Sequence, residues 1–233
     1  MPLLIDIYSD VICPWCWIGK RRLDQAIATL TPSQAQVRWH PFQLNPGMPP
    51  EGMPRADYRR RKFGSDEYAQ ALDARVTKAG EIDGLAFDLA GQSRTPNTIL
   101  AHRLIWLAGK HGVQDVIVEA LFSAYFSAGL NIGDASTLAR IAAAATEAKT
   151  NSALFAAKNI SAFLARNEGE AEIQADEQSI RAQDLDGVPL FIINGKERIN
   201  GAQPIAVFTA ILHQMATAAP DDTTDCNDGF CRT

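Results

Sequence analysis

Apolar positions recur in this chain with two periods, and the changeovers divide it into segments. Leu3-Leu4-Ile5-Asp6-Ile7-Tyr8 is an apolar run of strand length. Gln36-Val37-Arg38-Trp39-His40-Pro41-Phe42 alternates and predicts a second strand. Between them Leu23, Ile27 and Leu30 fall at helical spacing over residues 18–30, so the first 42 residues predict a β-α-β unit. Pro46, Pro49, Pro50 and Pro54 then mark a loop. Most of residues 55–180 reads as helix, in segments 57–62, 66–79, 97–111, 113–127, 134–145 and 152–166. Glycines at 80, 84, 129 and 133 supply breaks, and Asp134 suits the N-cap of the helix that follows it. Period two returns at Leu190-Phe191-Ile192-Ile193. Asn194-Gly195, the strongest short hairpin signal, joins it to Glu197-Arg198-Ile199. Residues 203–216 predict a closing helix that buries Ile205, Phe208, Ile211 and Leu212. The pattern predicts an α/β domain interrupted by a helical insertion and then completed.

Composition changes this picture only by exclusion. A chain of 233 residues is long enough for one large domain with an insertion, or for two. Its net charge of −5 and lack of a long basic run argue against general nucleic-acid binding. The short cluster Arg59-Arg60-Arg61-Lys62 reads as an exposed helix face. No apolar run approaches the roughly 20 residues of a membrane span. The first apolar stretch is too short and too acidic for a signal peptide, so a cytoplasmic protein is expected. There a structural disulfide is disfavoured, which turns all four cysteines toward catalysis, redox sensing or metal.

Cys13-Pro14-Trp15-Cys16 carries the chemistry. It lies where the first strand gives way to a helix, so Cys13 meets unpaired backbone N–H groups and the positive end of the helix dipole, both of which favour a thiolate. Pro14 suits the first helical turn, where its missing N–H had no partner. Cys16, three residues on, shares the helical face and can attack a mixed disulfide formed at Cys13. An exposed Cys13 sulfur would need an extended substrate segment beside it. Gly187-Val188-Pro189-Leu190, a proline just before the returning strand, meets that requirement if the Val188–Pro189 bond is cis. Trp15 is expected at the rim of the site and Trp17 in the core. His102, on a helix with apolar neighbours, reads as a satisfied structural histidine. No glycine-rich phosphate loop implies a nucleotide.

Cys13-Pro14-Trp15-Cys16, the helical insertion and Gly187-Val188-Pro189 together resemble the DsbA family of thioredoxin-fold oxidoreductases, and within it the FrnE-like branch. Phe42-Gln43-Leu44-Asn45-Pro46, Asn97-Thr98, Ala101-His102-Arg103, Leu121-Phe122-Ser123-Ala124-Tyr125-Phe126 and Asn131-Ile132 extend the likeness over roughly residues 3–216. The resemblance implies a discontinuous thioredoxin-like domain (1–50 and 185–217), a helical insertion (51–184) and an acidic tail (218–233). It implies thiol–disulfide exchange, with Cys13 as nucleophile, Cys16 as resolving thiol, Pro189 as the cis-proline, and Pro14, Trp15 and Val188 contacting substrate. Expected partners are protein or small-molecule disulfides and thiols, with neither nucleic acid nor membrane. No tightly bound cofactor is expected; glutathione as co-substrate and a homodimer stay open. The same fold branch includes glutathione-dependent isomerases of 2-hydroxychromene-2-carboxylate and kappa-class glutathione transferases, which supply the alternative activity.

The tail adds Cys226-Asn227-Asp228-Gly229-Phe230-Cys231, which resembles the C-terminal pair that FrnE-like proteins can carry. Closing so short a loop is worth only about 2 kcal/mol, so stabilisation is a poor reason for it. Neighbouring Asp225 and Asp228 would raise these thiol pKa values, which suits an accessory redox pair relaying to Cys13. An adventitious disulfide, two idle thiols and a four-thiolate zinc site are the competing readings.

Overall fold

The computed structural model describes residues 2–147, 149, 153–183 and 187–217. Strand β1 (Leu3–Ser9) leads into helix α1 (Pro14–Ile27) and returns as β2 (Ala35–Pro41), parallel to β1 with Leu3 opposite Ala35. After the insertion, β5 (Leu190–Ile193) runs antiparallel to β1, with Tyr8 opposite Leu190. A turn at Asn194 and Gly195, both at positive φ, folds the chain back as β6 (Glu197–Asn200). Left-handed backbone at two successive residues suits the twist of a two-residue hairpin, which is why Asn-Gly signals one. The sheet order is β2-β1-β5-β6.

Both faces of this sheet are covered. On one, Phe191 of β5 sits edge-on to Phe208 of the closing helix α9 (Ile205–Thr217), with ring centroids 4.8 Å apart. α1 packs on the same face through Gly19, where an added Cβ would lie 3.0 Å from the Phe191 ring and 3.2 Å from the Pro189 ring. On the other face Leu190 meets Phe42 and Ile180, the latter from α8 (Glu170–Arg181).

Between β2 and β5 the chain forms β3 (Met53–Pro54), α2 (Arg55–Phe63), α3 (Asp66–Ile82), β4 (Arg94–Thr95), α4 (Ile99–Lys110), α5 (Gln114–Phe126), α6 (Ala135–Thr146), a 3-10 turn (Ala153–Phe155), α7 (Ala157–Leu164) and α8. The helical insertion is thus present, and it shares its core with the sheet. Trp17 of α1 stacks on Phe122 and Phe126 of α5 at 6.2 and 5.9 Å and meets Phe87 edge-on at 5.1 Å. Lys20 of α1 is buried yet satisfied, with Asp24, Asp115 and Glu119 at 2.8, 3.1 and 3.4 Å.

Several boundaries differ from the pattern-based expectation. The continuous helix expected over 152–166 is divided, because Ala156 is extended (ψ 139°) and acts as the N-cap of α7. α1 stops at Ile27 rather than residue 30, the chain turning away as the Thr29 hydroxyl donates to the Ala26 carbonyl. The two-residue ladder of β3 with β4 was hidden in segments read as loop. Asp134 caps α6 as its sequence suggests, accepting from Thr137 N at 2.7 Å.

Candidate active site

Cys13 is the N-cap of α1, in extended backbone (φ −93°, ψ 111°), and Pro14 occupies the first turn. A tight turn holds it there: Cys13 N donates to Asp10 O at 2.9 Å, and Cys16 N donates to Cys13 O at 3.0 Å. Both thiols are free, and both are buried, Cys13 at 5% and Cys16 at 1% exposure. This corrects the expectation of an exposed Cys13 sulfur. The side chains lie together, since burial, a hydrogen bond with Cys13 and repulsion from the Cys13 charge push the Cys16 thiol well above its ordinary range. The Ser9 hydroxyl and the Asp10 backbone oppose that shift without cancelling it.

The Val188–Pro189 peptide bond is cis. The Val188 carbonyl lies 3.6 Å from Cys13 Sγ, close enough to accept from the thiol, and the Pro189 carbonyl accepts from Gly201 N at 2.8 Å. β5 is an inner strand of the sheet, between β1 and β6, so among the described residues it offers Cys13 no open strand edge. What faces Cys13 is the backbone just ahead of that strand.

Beneath the turn lies Asp10, fully buried. Its carboxylate accepts from Leu44 N at 2.7 Å and so fixes the chain after β2 below Cys13. His102 of α4 is buried with its Nε2 3.5 Å from Asp10 Oδ1 and without a hydrogen-bond partner. The histidine that the sequence read as satisfied thus has one ring nitrogen whose nearest polar contact is the Asp10 carboxylate. Ser9 and Asp10 were missed as site residues, although two polar residues ending an apolar strand just before a dicysteine were a visible signal.

A cleft of about 310 Å³ opens beside Cys13. Cys13, Trp15 and Leu44 form one wall, and Tyr58, Arg59, Lys62 and Arg75 on α2 and α3 contribute the other. The β3–β4 ladder sets that second wall in place: Arg55 N, at the start of α2, donates to Ser93 O at 3.0 Å. Arg59 pairs with Asp73 at 2.7 Å and lies 4.7 Å from the Phe63 ring centroid. Lys62 donates to the Tyr58 hydroxyl at 2.7 Å. The basic run is exposed as expected at Arg60, Arg61 and Lys62, and Arg59 is half-buried. Arg60 faces solvent and pairs with Asp57, but Arg59 and Lys62, one helical step apart, turn toward Cys13. Tyr58 and Phe63 flanking the run were the signal. Trp15 lines the cleft, and Trp17 is buried in the core.

The tail pair Cys226 and Cys231 lies outside the described residues. Among the described residues no three His, Cys, Asp or Glu side chains gather in a way that could hold a metal ion, and no helix is long and apolar enough to cross a membrane.

A four-stranded sheet covered on both faces, with two free thiols in the first turn of its leading helix and a helical insertion between sheet halves, defines a thioredoxin-like fold of the DsbA type. Residues 4–213 match the DSBA-like thioredoxin domain, and the chain belongs to that family. It is similar to a probable DsbA oxidoreductase from Streptomyces coelicolor, SCO1869, at 28% identity and a TM-score of 0.82, covering 96% of this chain and 94% of that one. The uncharacterized protein YwbO of Bacillus subtilis is 29% identical over 208 residues, 89% of this chain and 94% of its own length. The cytosolic disulfide reductase DsbM from Pseudomonas aeruginosa, solved with GSH, shares the fold at 16% identity and a TM-score of 0.64, covering 91% of this chain and 98% of that one.

Proposed function

We propose that this protein is a thiol–disulfide oxidoreductase working through Cys13 and Cys16. The observation that carries this reading is the placement of two free, adjacent thiols at the start of α1, with Cys13 Sγ 3.6 Å from the Val188 carbonyl and opening on a cleft. The Cys13 thiolate attacks a substrate disulfide, forming a Cys13–substrate bond and releasing one substrate thiolate. Cys16 then attacks Cys13 Sγ and releases the second thiolate. Two electrons pass to the substrate, and a Cys13–Cys16 disulfide remains for a second thiol to reduce. Run backwards, the same steps oxidise a substrate dithiol.

Timing follows from the causes of the Cys16 shift. Two of the three raising causes, the hydrogen bond with Cys13 and the repulsion from its charge, require a free Cys13. Once Cys13 is bonded to substrate both disappear, and Cys16 becomes more acidic at the step where it must attack. Trp15 and Pro14 border the bound substrate, and Val188 with Pro189 supports its backbone. In this reading the protein works in the cytoplasm, and Cys226 with Cys231 passes oxidising equivalents to or from the Cys13 pair.

Substitution separates the roles. Cys13→Ser abolishes insulin-disulfide reduction, and Cys16→Ser strands mixed disulfides on Cys13 that mass spectrometry identifies. Cys226→Ser lowers turnover without abolishing it. Retained turnover in the Cys13 variant would overturn the assignment. Fold alone does not separate this chemistry from glutathione-dependent isomerisation. Isomerisation of an aromatic carboxylate with Cys16 dispensable would establish that activity instead.

A further inference from the structure

The cleft beside Cys13 carries charge opposite to that of the chain. The chain as a whole has a net charge of −5. Of the charged residues lining the cleft, Arg59 pairs with Asp73 at 2.7 Å, a carboxylate that it shares with Arg55 at 3.0 Å. Lys62 and Arg75 remain. Both are exposed, and neither has a carboxylate partner among the described residues: Lys62 reaches the Tyr58 hydroxyl and lies over the Tyr58 and Phe63 rings, and Arg75 makes no ion pair. Two unpaired cations on one wall, with the reactive sulfur on the other, make a site that gathers anions toward Cys13. Its volume of about 310 Å³ lies at the small end of pockets that bury a small molecule, typically ~300–1,000 Å³. Trp15, Leu44, Phe63 and Val76 give the same cleft apolar surface.

We infer that the preferred disulfide substrate is a low-molecular-weight compound bearing carboxylates, selected by Lys62 and Arg75. This rests on the thiol-exchange reading and deepens it. In the exchange, Cys13 bonds to one half of the anionic disulfide and the other half leaves as a thiolate; Cys16 releases the first half, and an added dithiol reduces the resulting Cys13–Cys16 disulfide. The carboxylates of the half held on Cys13 meet the two cations across the cleft. Arg59, already held by the carboxylate that Asp73 shares with Arg55, shapes that wall and is not the selecting group.

Three probes separate charge from chemistry: glutathione disulfide (anionic), bis(2-hydroxyethyl) disulfide (neutral) and cystamine (cationic), each reduced by the whole protein with dithiothreitol as the electron source. The expected order of kcat/KM is anionic, then neutral, then cationic. The anionic-to-neutral ratio falls about two- to fivefold for each of Lys62→Gln and Arg75→Gln, the scale of an exposed ion pair. It also falls as salt is raised from 0.02 to about 0.5 M, because exposed charges are screened over a Debye length. A ratio unchanged by both substitutions, or a wild-type order with cystamine first, overturns the proposal while leaving thiol exchange standing. So does reduction of insulin that competes with all three probes equally and ignores both substitutions, which would make a polypeptide the preferred substrate. Reduction of insulin but of none of the three probes also overturns the proposal, and failure of the wild-type protein to reduce insulin or any probe removes the thiol-exchange reading itself.

Discussion

Cys16 is 1% exposed and sits within reach of Ser9, Asp10 and Cys13, so its ionisation reports the state of its neighbour. In the reduced protein, thiolate absorbance at 240 nm followed against pH is expected to show one thiol titrating above the usual cysteine range. Replacing Cys13 by Ala removes two of the three causes of that shift and brings Cys16 down, though burial keeps it from falling to the value of a free thiol. A Cys16 titration indifferent to the substitution would mean that burial acts alone. Residues at this scale were unevenly legible. The spacing of Cys13 and Cys16 is local and chemically specific, and Val188-Pro189 announces itself ahead of an apolar run. The cationic wall depends on Lys62 and Arg75, 49 and 62 positions beyond Cys13 and on two different helices, and no local pattern brings those together.

Element placement depends on a few cross-links that pH and volume can test. His40 of β2 ties three elements, contacting Asp6 of β1 at 2.9 Å and Asp176 of α8 at 2.7 Å, and it stacks on Tyr8 at 4.7 Å. Burial disfavours its charged form, but hydrogen bonds and attraction to Asp176 and Asp6 prevail and hold its pKa above the ordinary 6.5. A raised value means that the charged ring stabilises the fold fully below about 6.5 and that this contribution is lost as pH rises through the higher folded value. The partner works in the other direction. Burial would raise the Asp6 carboxyl, yet Arg38 and His40 hold it below 3.8, so its contribution is present above that pH and lost as pH falls through the lower folded value. The midpoint of urea unfolding is therefore expected to be higher at pH 5.5 than at pH 8.5, and His40→Gln should remove most of the difference. Equal midpoints in the parent protein would contradict the tie. Gly19 tests packing in the same region. A valine there crowds Phe191 and Pro189, costs about 1–3 kcal/mol of stability, and slows exchange at Cys13 by displacing Pro189. Period two and period 3.6 made β1, β2, β5, β6 and the long helices legible. The β3–β4 ladder was not, because two residues are too few to express a period, and it is this ladder that orients α2 toward Cys13.

At the scale of the molecule one buried cluster runs from Ile5 and Ile7 in the sheet through Trp17 and Leu23 on α1 to Leu104, Phe122, Leu138 and Ile160 in the helical part. Phe122, fully buried between Trp17 and Trp39, joins the two halves. Phe122→Ala is expected to cost about 3–5 kcal/mol, and thermal unfolding followed by calorimetry should still show one transition, shifted downward. A variant that melts in two separate steps would mean that the halves hold together independently. The interrupted topology was readable from the return of strand pattern at Leu190, whereas the shared core was not, since hydrophobic periodicity gives the inward face of each helix and not the partner that it meets. Splicing the β-α-β segment directly to the hairpin, in the hope of a minimal redox module, would strand two indoles in water and take away two of the three carboxylates around Lys20, those of Asp115 and Glu119. A shortened enzyme of this kind must bring replacements for α5 or it will not fold around its own cysteines.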